Sequence, residues 1–502
     1  MFGKGFDNDK YLAEQTKYIL ERAKQYDKIY IECGGKLMHD MHAFRVLPGY
    51  DPDVKMKVFS SLADKIEIII CINSKDIEKK KIRADFNRTY DEDVPKMIED
   101  FRKNGMVCNS VVVTRCADSS AVDDFRNMLE RRGVKVYLHK PTPGYPVDVD
   151  AVVSDKGFGQ NEYVETVKPI VLVTAPGPGS GKLGTCLSQI YHDFRQGRKS
   201  SYSKFETFPI WNLPVDHPVN MAYEAATADL GDFNRIDHYE LESSGNICTN
   251  YNRDMDVFPI VKGILQNATN GHVVYDSPTQ MGVNRCGFGI VDDDIVREAA
   301  KQEMIRRYLI AKVDYLNSKC TAQTVERCRQ LMAKAGISVS DRKVVSECQK
   351  KLASQISLGK GKDGITCVAC AQVGENTFIS GTNSFRMHAA TAMVFKVLKY
   401  YAGIEDDVDL ISKDIIDSVL YMKHDILKED GTSLNVDEGL ICLALSAARS
   451  EPARKALDHL NDLAGLEVHI SHLPSNADGK SLRKLKMNWT TEPVFPSRNI
   501  LS

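Results

Sequence analysis

One stretch narrows the choice of fold more than any other: Lys168 to Gly197, KPIVLVTAPGPGSGKLGTCLSQIYHDFRQG. Pro169 to Thr174 is almost wholly apolar, the pattern of a strand buried on both faces of a parallel sheet. Three glycines follow in Pro176-Gly177-Pro178-Gly179-Ser180-Gly181; they can take positive φ and leave backbone N–H groups free to converge on an anion. Lys182 opens a helix with an apolar face of Leu183, Leu187, Ile190, Tyr191 and Phe194, and Gly197 ends it. Strand, glycine-rich turn and lysine are the parts of a phosphate cradle, in which amides and the helix N-terminus hold the anion and the ammonium adds a point charge. The expected nucleotide- or phosphate-binding set is Gly177, Gly179, Ser180, Gly181, Lys182 and Thr185.

The match to G-x-x-x-x-G-K-[ST] is incomplete. Pro176 stands where the first glycine belongs, and Leu183 stands where a Ser or Thr hydroxyl would hold Mg²⁺. Thr185 lies two residues further round the helix and reaches a metal only if the turn is displaced. The pattern therefore argues for binding an anion more than for hydrolysing one.

Before this stretch, helix and strand alternate. Strands are expected at Lys28 to Cys33, Ile66 to Ile72, Ser110 to Arg115 and Val134 to Leu138, with helices at 10–26, 53–63, 92–103 and 119–132. That spacing predicts an α/β fold: a doubly wound, mostly parallel sheet whose ligands lie beyond the strand C-termini, with the P-loop-like turn on a later strand. The loop after the first strand, GGKLMHDMHAFRVLPGYDPD, is dense in charged and imidazole side chains. Lys36 and Arg45 suit an anionic substrate. Asp40 and His42 suit proton transfer or a metal, since imidazole titrates near neutrality and a carboxylate can orient it; a solvated loop is the plainer alternative.

Val149 to Asp155 is expected as another strand end, with Asp155 either a metal-holding acid or a helix N-cap. A strand at 205–211, a turn with Asp216 and His217, and a helix from Val219 come next. Arg253 can clamp a phosphate or carboxylate, or pair with Asp254 or Asp256.

From 291 the chain becomes long, charged and helical in period; from 357 a hairpin (ITCVACAQV, NTFISG), several helices and a late strand, LEVHIS, make a smaller α/β unit. The expected domains are 1–290, 291–356 and 357–502. Asn383 and His388 sit in SGTNSFRMHAA before a helix, where they either bind an anion or serve ordinary capping. A hairpin followed by a helix-leading His is also seen in zinc deaminases, but His388-Ala389-Ala390 lacks the glutamate of His-x-Glu and no Pro-Cys-x-x-Cys follows, which argues against that chemistry. Cys367 and Cys370 fall three apart in a strand, on opposite faces, and cannot share one zinc; no metal site is assigned.

The 66 basic and 68 acidic residues are interspersed, so neither a nucleic-acid footprint nor a polybasic membrane patch is expected. Thirteen cysteines without a framework suit a reducing compartment, and the N-terminus has no apolar signal core; a cytoplasmic protein is expected.

The strings GGKLMHDMHAFRVLPGYDPD, TAPGPGSGKL, KFETFPIWNLP, NYNRDMDVFP, MGVN and SGTNSFRMHAA closely resemble, in this order and over essentially the full length, a family of uncharacterised bacterial proteins. The resemblance implies a P-loop-like α/β N-terminal region, a helical middle and a C-terminal domain of deaminase-like topology; it implies no known reaction and brings no catalytic residues. The expected function is an enzyme that binds a small phosphorylated ligand, ATP or GTP with Mg²⁺ among the candidates, for phosphoryl transfer or ligation. Lys182 would stabilise charge on the phosphate, and Asp40 or His42 would accept a proton. The alternatives are a non-catalytic phosphate sensor or assembly protein and a metal-dependent hydrolase; a homo-oligomer is compatible with each.

Overall fold

The computed structural model describes residues 3–35, 37–83, 88–117, 119–429 and 433–496. Among them, six strands form one parallel sheet: β1 (Lys28–Cys33), β2 (Ile66–Asn73), β3 (Val107–Thr114), β4 (Lys135–Leu138), β5 (Ile170–Thr174) and β6 (Ser200–Phe205), in the order β4-β3-β2-β5-β1-β6. The apolar runs explain the centre: β2 and β5 are buried at every position, as strands covered on both faces must be. The helices of this part of the chain include α1 (Asn8–Ala23), α2 (Met41–Val46), α3 (Val54–Ser60), α4 (Tyr90–Lys103), α5 (Ser120–Glu130), α6 (Lys182–Arg195), α7 (Pro218–Ala226) and α8 (Asn252–Ala268).

One face of the sheet is closed by α6 and α8. Tyr30, Cys71, Val112, Val171, Val173 and Tyr202 meet Cys186, Leu187, Ile190, Phe258 and Ile264 there. The residues pointing the other way, Ile29, Ile31, Ile68 and Ile70, are fully buried as well. In the register, β5 lies between the first two strands: Val173 pairs with Glu32 of β1 on one side and Ile69 of β2 on the other. The glycine-rich turn therefore leaves the middle of the sheet.

Two expectations need correction. The strand expected at 205–211 is Ser200–Phe205 instead, and the chain turns at the cis Phe208-Pro209 bond. Ser200, Ser201 and Ser203 are fully buried in that strand, where a serine-rich string reads as loop. Val149–Val152 is a short helix capped by Asp148, not a strand, so Asp155 ends no strand; it is exposed and accepts from Tyr191 (2.8 Å) and from Arg195.

By its internal contacts the chain divides into two units, residues 4–224 with 232–297, and residues 1–3 with 225–231 and 298–502. The first holds the parallel sheet and a small antiparallel pair, β7 (Asn234–Ile236) and β8 (Thr249–Tyr251). In the second, the charged stretch forms most of α9 (Asp293–Leu316) and all of α10 (Ala322–Lys334) and α11 (Lys343–Ser357). Its sheet is β9 (Val368–Gly374), β10 (Thr377–Thr382), β11 (Glu467–Ile470) and β12 (Asn488–Thr491), in the order β10-β9-β11-β12. Further helices are α12 (Ala389–Ala402), α13 (Lys413–Tyr421), α14 (Val436–Ala447), α15 (Glu451–Asp458) and α16 (Asn476–Lys484). Cys367 joins the core on the α12 side of this sheet, whereas Cys370 joins Val344 and Cys348 of α11 on the other, so the two thiols are separated by the sheet.

Candidate functional site

Each glycine of the turn after β5 has its own reason to be there. Gly179 and Gly181 have φ of +75° and +85°, the left-handed region that side chains disfavour. Gly177 has no room: a Cβ would fall 2.1 Å from the Tyr90 hydroxyl at the start of α4. Neighbouring strand ends claim the turn's carbonyls. Thr114 of β3 donates to the Ser180 carbonyl (2.8 Å), Asn73 of β2 to that of Gly179 (3.3 Å), and the Ser180 hydroxyl to that of Gly177 (2.7 Å). The amides are left for something else. The first helical bond is Thr185 N–H to Gly181 O (3.0 Å), and none of the N–H groups from Gly179 to Gly184 donates to an acceptor among the described residues.

Lys182 is the first residue of α6 and is half-buried, and no described carboxylate pairs with it. Its charge is felt at the thiols of Cys33 in β1, Cys71 in β2 and Cys186 in α6. Burial pushes Cys33 and Cys71 up to about 12, and the lysine only partly opposes this, so both thiols are inert. Thr185 is 1% exposed and its hydroxyl accepts from Cys71 Sγ (3.4 Å), so it faces the sheet and not the turn.

The loop after β1 is organised differently from the glycine-rich turn. Lys36 lies outside the described residues. Asp40 caps α2, accepting from Ala43 N–H (3.1 Å), and its other oxygen takes Lys55 Nζ of α3 at 2.6 Å. Burial disfavours the charged carboxylate, but Lys55 and the cap outweigh it and hold Asp40 below the usual range. His42 packs edge-on against Phe208 (5.0 Å) and Tyr223 (5.2 Å), and Arg45 lies in the last turn of α2. Arg253 pairs with Asp232 (3.2 Å), an acid distant in sequence.

Reasoning from sequence missed a charged group beside the turn. Glu32 of β1 lies across the register from Lys204 of β6 and accepts from the Tyr202 hydroxyl (2.8 Å). Lys204 Nζ reaches Asp254 in the first turn of α8 (2.5 Å) and Glu206 (2.7 Å). Burial works against the Lys204 charge, yet Asp254, Glu206 and Glu32 keep it protonated, well above the ordinary range. Glu206 also fills the space beside Gly34, where a Cβ would lie 2.8 Å from its carboxyl carbon. Placing the strand at Ser200–Phe205 would have revealed the group, because only then do Lys204 and Glu32 face the same side.

Asn383 and His388 belong to the C-terminal unit. Asn383 is spent on backbone, accepting from Cys367 N–H (2.8 Å) and donating to Ile365 O (3.0 Å). His388 Nδ1 meets the buried Asp478 carboxylate at 2.6 Å, which also takes Val436 N–H and the Ser475 hydroxyl (both 2.8 Å). Among the described residues, no three His, Cys, Asp or Glu side chains converge as a metal ion would need. No described helix is long and apolar enough to cross a membrane.

Sheet and turn together define an α/β protein with a P-loop-like strand–turn–helix unit at the C-terminal edge of a parallel sheet. The chain belongs to the DUF1846 family: residues 4–336 match the model described as domain of unknown function DUF1846, N-terminal, and residues 340–501 match its C-terminal counterpart. Similar curated proteins are a UPF0371 protein of Fusobacterium nucleatum, 48% identical over 499 residues, and one of Clostridium botulinum strain Alaska E43, 47% identical over 496. Each match covers 99% of both chains.

Proposed function

We propose that the turn from Gly177 to Lys182 is a phosphate cradle and that the protein binds a nucleotide, ATP or GTP, or another small phosphorylated metabolite. The observation that carries this reading is the division of labour within the turn: the carbonyls of Gly179 and Ser180 are bonded to the strand ends, while the N–H groups from Gly179 to Gly184 donate to no acceptor among the described residues. Lys182, which pairs with no carboxylate among the described residues, stands at the same helix start. Converging N–H dipoles with an ammonium are the chemistry that recognises a phosphoryl group.

The group of Glu32, Lys204, Glu206 and Asp254 would face whatever the phosphate is attached to or transferred onto. In this reading it replaces Asp40 as the source of a proton acceptor, since Asp40 spends one oxygen on Lys55 and the other on a helix cap. A non-catalytic sensor is favoured over a Mg²⁺-dependent hydrolase by one feature. Leu183 occupies the metal-holding position and the Thr185 hydroxyl is turned into the core, so a Mg²⁺ arriving with ATP would rely on phosphate and water oxygens.

Titration calorimetry with inorganic phosphate, ATP and GTP, each with and without Mg²⁺, tests the proposal. Binding by wild type that weakens by about 10- to 100-fold in Lys182→Ala is expected, the loss of one charge-assisted contact. Absence of heat with all three ligands would remove the cradle.

A further inference from the structure

The C-terminal unit carries apolar side chains where a solvated helix would carry charge. α14 reads VDEGLICLALSA. Its inward residues Gly439, Cys442, Leu443 and Ser446 are buried, as a core-facing stripe should be. Yet Ile441 and Leu445 on its outer side are apolar too, and they are 60% and 62% exposed. A helix that is apolar all round is a helix covered on every side.

A second segment extends the patch. Tyr421 ends α13, a π-turn runs over Met422–Ile426, and Leu427 follows. Tyr421, Met422, Ile426 and Leu427 are 60%, 43%, 61% and 56% exposed. Lys423 holds this segment beside α14: buried between them, it donates to Glu438 (2.9 Å) and to the Ser433 carbonyl (3.1 Å). Glu438, Ile441 and Leu445 fall at i, i+3 and i+7, so the lysine grips the side of α14 that bears the exposed pair.

We propose that this surface is a two-fold interface with a second copy of the chain, in which α14 lies antiparallel on its counterpart. Size is the first argument. Six such side chains expose on the order of 100 Å² apiece, so two copies would remove about 1,200 Å² from water, above the roughly 1,000 Å² that separates a biological interface from a chance contact. Charge is the second. The exposed Asp437 stands at the start of α14, where it accepts from Ser481 (3.2 Å) and lies 3.9 Å from Lys484, and the exposed Arg449 stands just beyond its end, so an antiparallel pairing sets each acid near the other copy's base and opposes the helix dipoles. A two-fold axis brings the same patch to itself, and this patch is complementary to itself.

Sedimentation equilibrium on the full chain tests this. Wild type is expected to be a dimer in the micromolar range, and Ile441→Glu combined with Leu445→Glu is expected to be a monomer with an unchanged circular dichroism spectrum. Arg449→Glu should weaken the dimer by about 10-fold or more, and adding Asp437→Lys in the same chain should restore it, which loss of a merely structural contact would not do. If the glutamate pair fails to fold, Ile441→Ser with Leu445→Asn replaces it and the charge exchange still decides. A wild type that stays monomeric up to about 100 μM, or a dimer indifferent to both sets of changes, would overturn the proposal.

Discussion

His139 shows how a single buried side chain sets a pH limit. It is 3% exposed, and its Nε2 lies 2.9 Å from the Glu162 carbonyl. Burial pulls its pKa down from 6.5 to about 4, against the modest help of that carbonyl. Between those two values the unfolded chain takes up a proton that the folded chain refuses, so stability falls as pH drops from 6.5 towards 4. The loss reaches about 3 kcal/mol if the whole shift is expressed. Urea melts across that window should show a slope that His139→Gln makes shallower; an equal slope in the variant would assign it to the other histidines that burial holds down, His192, His217, His469 and His472. The turn teaches a related lesson. Gly179 and Gly181 could be singled out by reading, since positive φ is what glycine is for, but the demand on Gly177 comes from Tyr90, 87 positions away, and only packing exposes it.

At the scale of elements, the Asp40–Lys55 pair ties α2 to α3. Both side chains are buried, Lys55 to 1% and Asp40 to 7%. Lys55→Met strands a carboxylate in the interior and should cost about 3 to 5 kcal/mol, whereas adding Asp40→Asn should recover much of it, because a buried pair replaced whole is far cheaper than one broken. Chemical denaturation of the two variants reads this directly, and equal losses would show that the cap to Ala43 matters more than the pair. Elements with a clear period were legible in the chain: β2, β5, α6 and the hairpin of β9 and β10 stand where apolar runs put them. The turn of the hairpin and several helix ends moved by a few residues, as ends do. β6 was misplaced because buried serines look solvated, and the register that brings Lys204 to Glu32 was lost with it. β12 and α16 were not foreseen: NWTT is too short to show an alternation, and NADGKSLRK is too polar to announce a buried face, although Gly479, Ser481 and Leu482 supply one. The candidate site was thus half readable, its glycine-rich turn from local pattern and its charged wall only from pairing.

For the molecule as a whole, division into two units predicts that they report separately on a ligand. If phosphate or ATP binds at Gly177 to Lys182, it stabilises the unit of residues 4–224 and 232–297 by mass action and leaves the other unaided. Differential scanning calorimetry should then show one component of the melt shifting upward with ligand concentration while the rest stays in place; a uniform shift would mean that the chain melts as one cooperative body. The position of β5 has a further outcome for biosynthesis. Residues 170–174 insert between strands that left the ribosome roughly 100 and 140 positions earlier. Until they emerge, β1 and β2 cannot be neighbours through β5 and each keeps a bare apolar edge, so the nascent chain carries an open seam that is a place for chaperones to act. The glycine-rich turn is set in place by the same event that closes that seam.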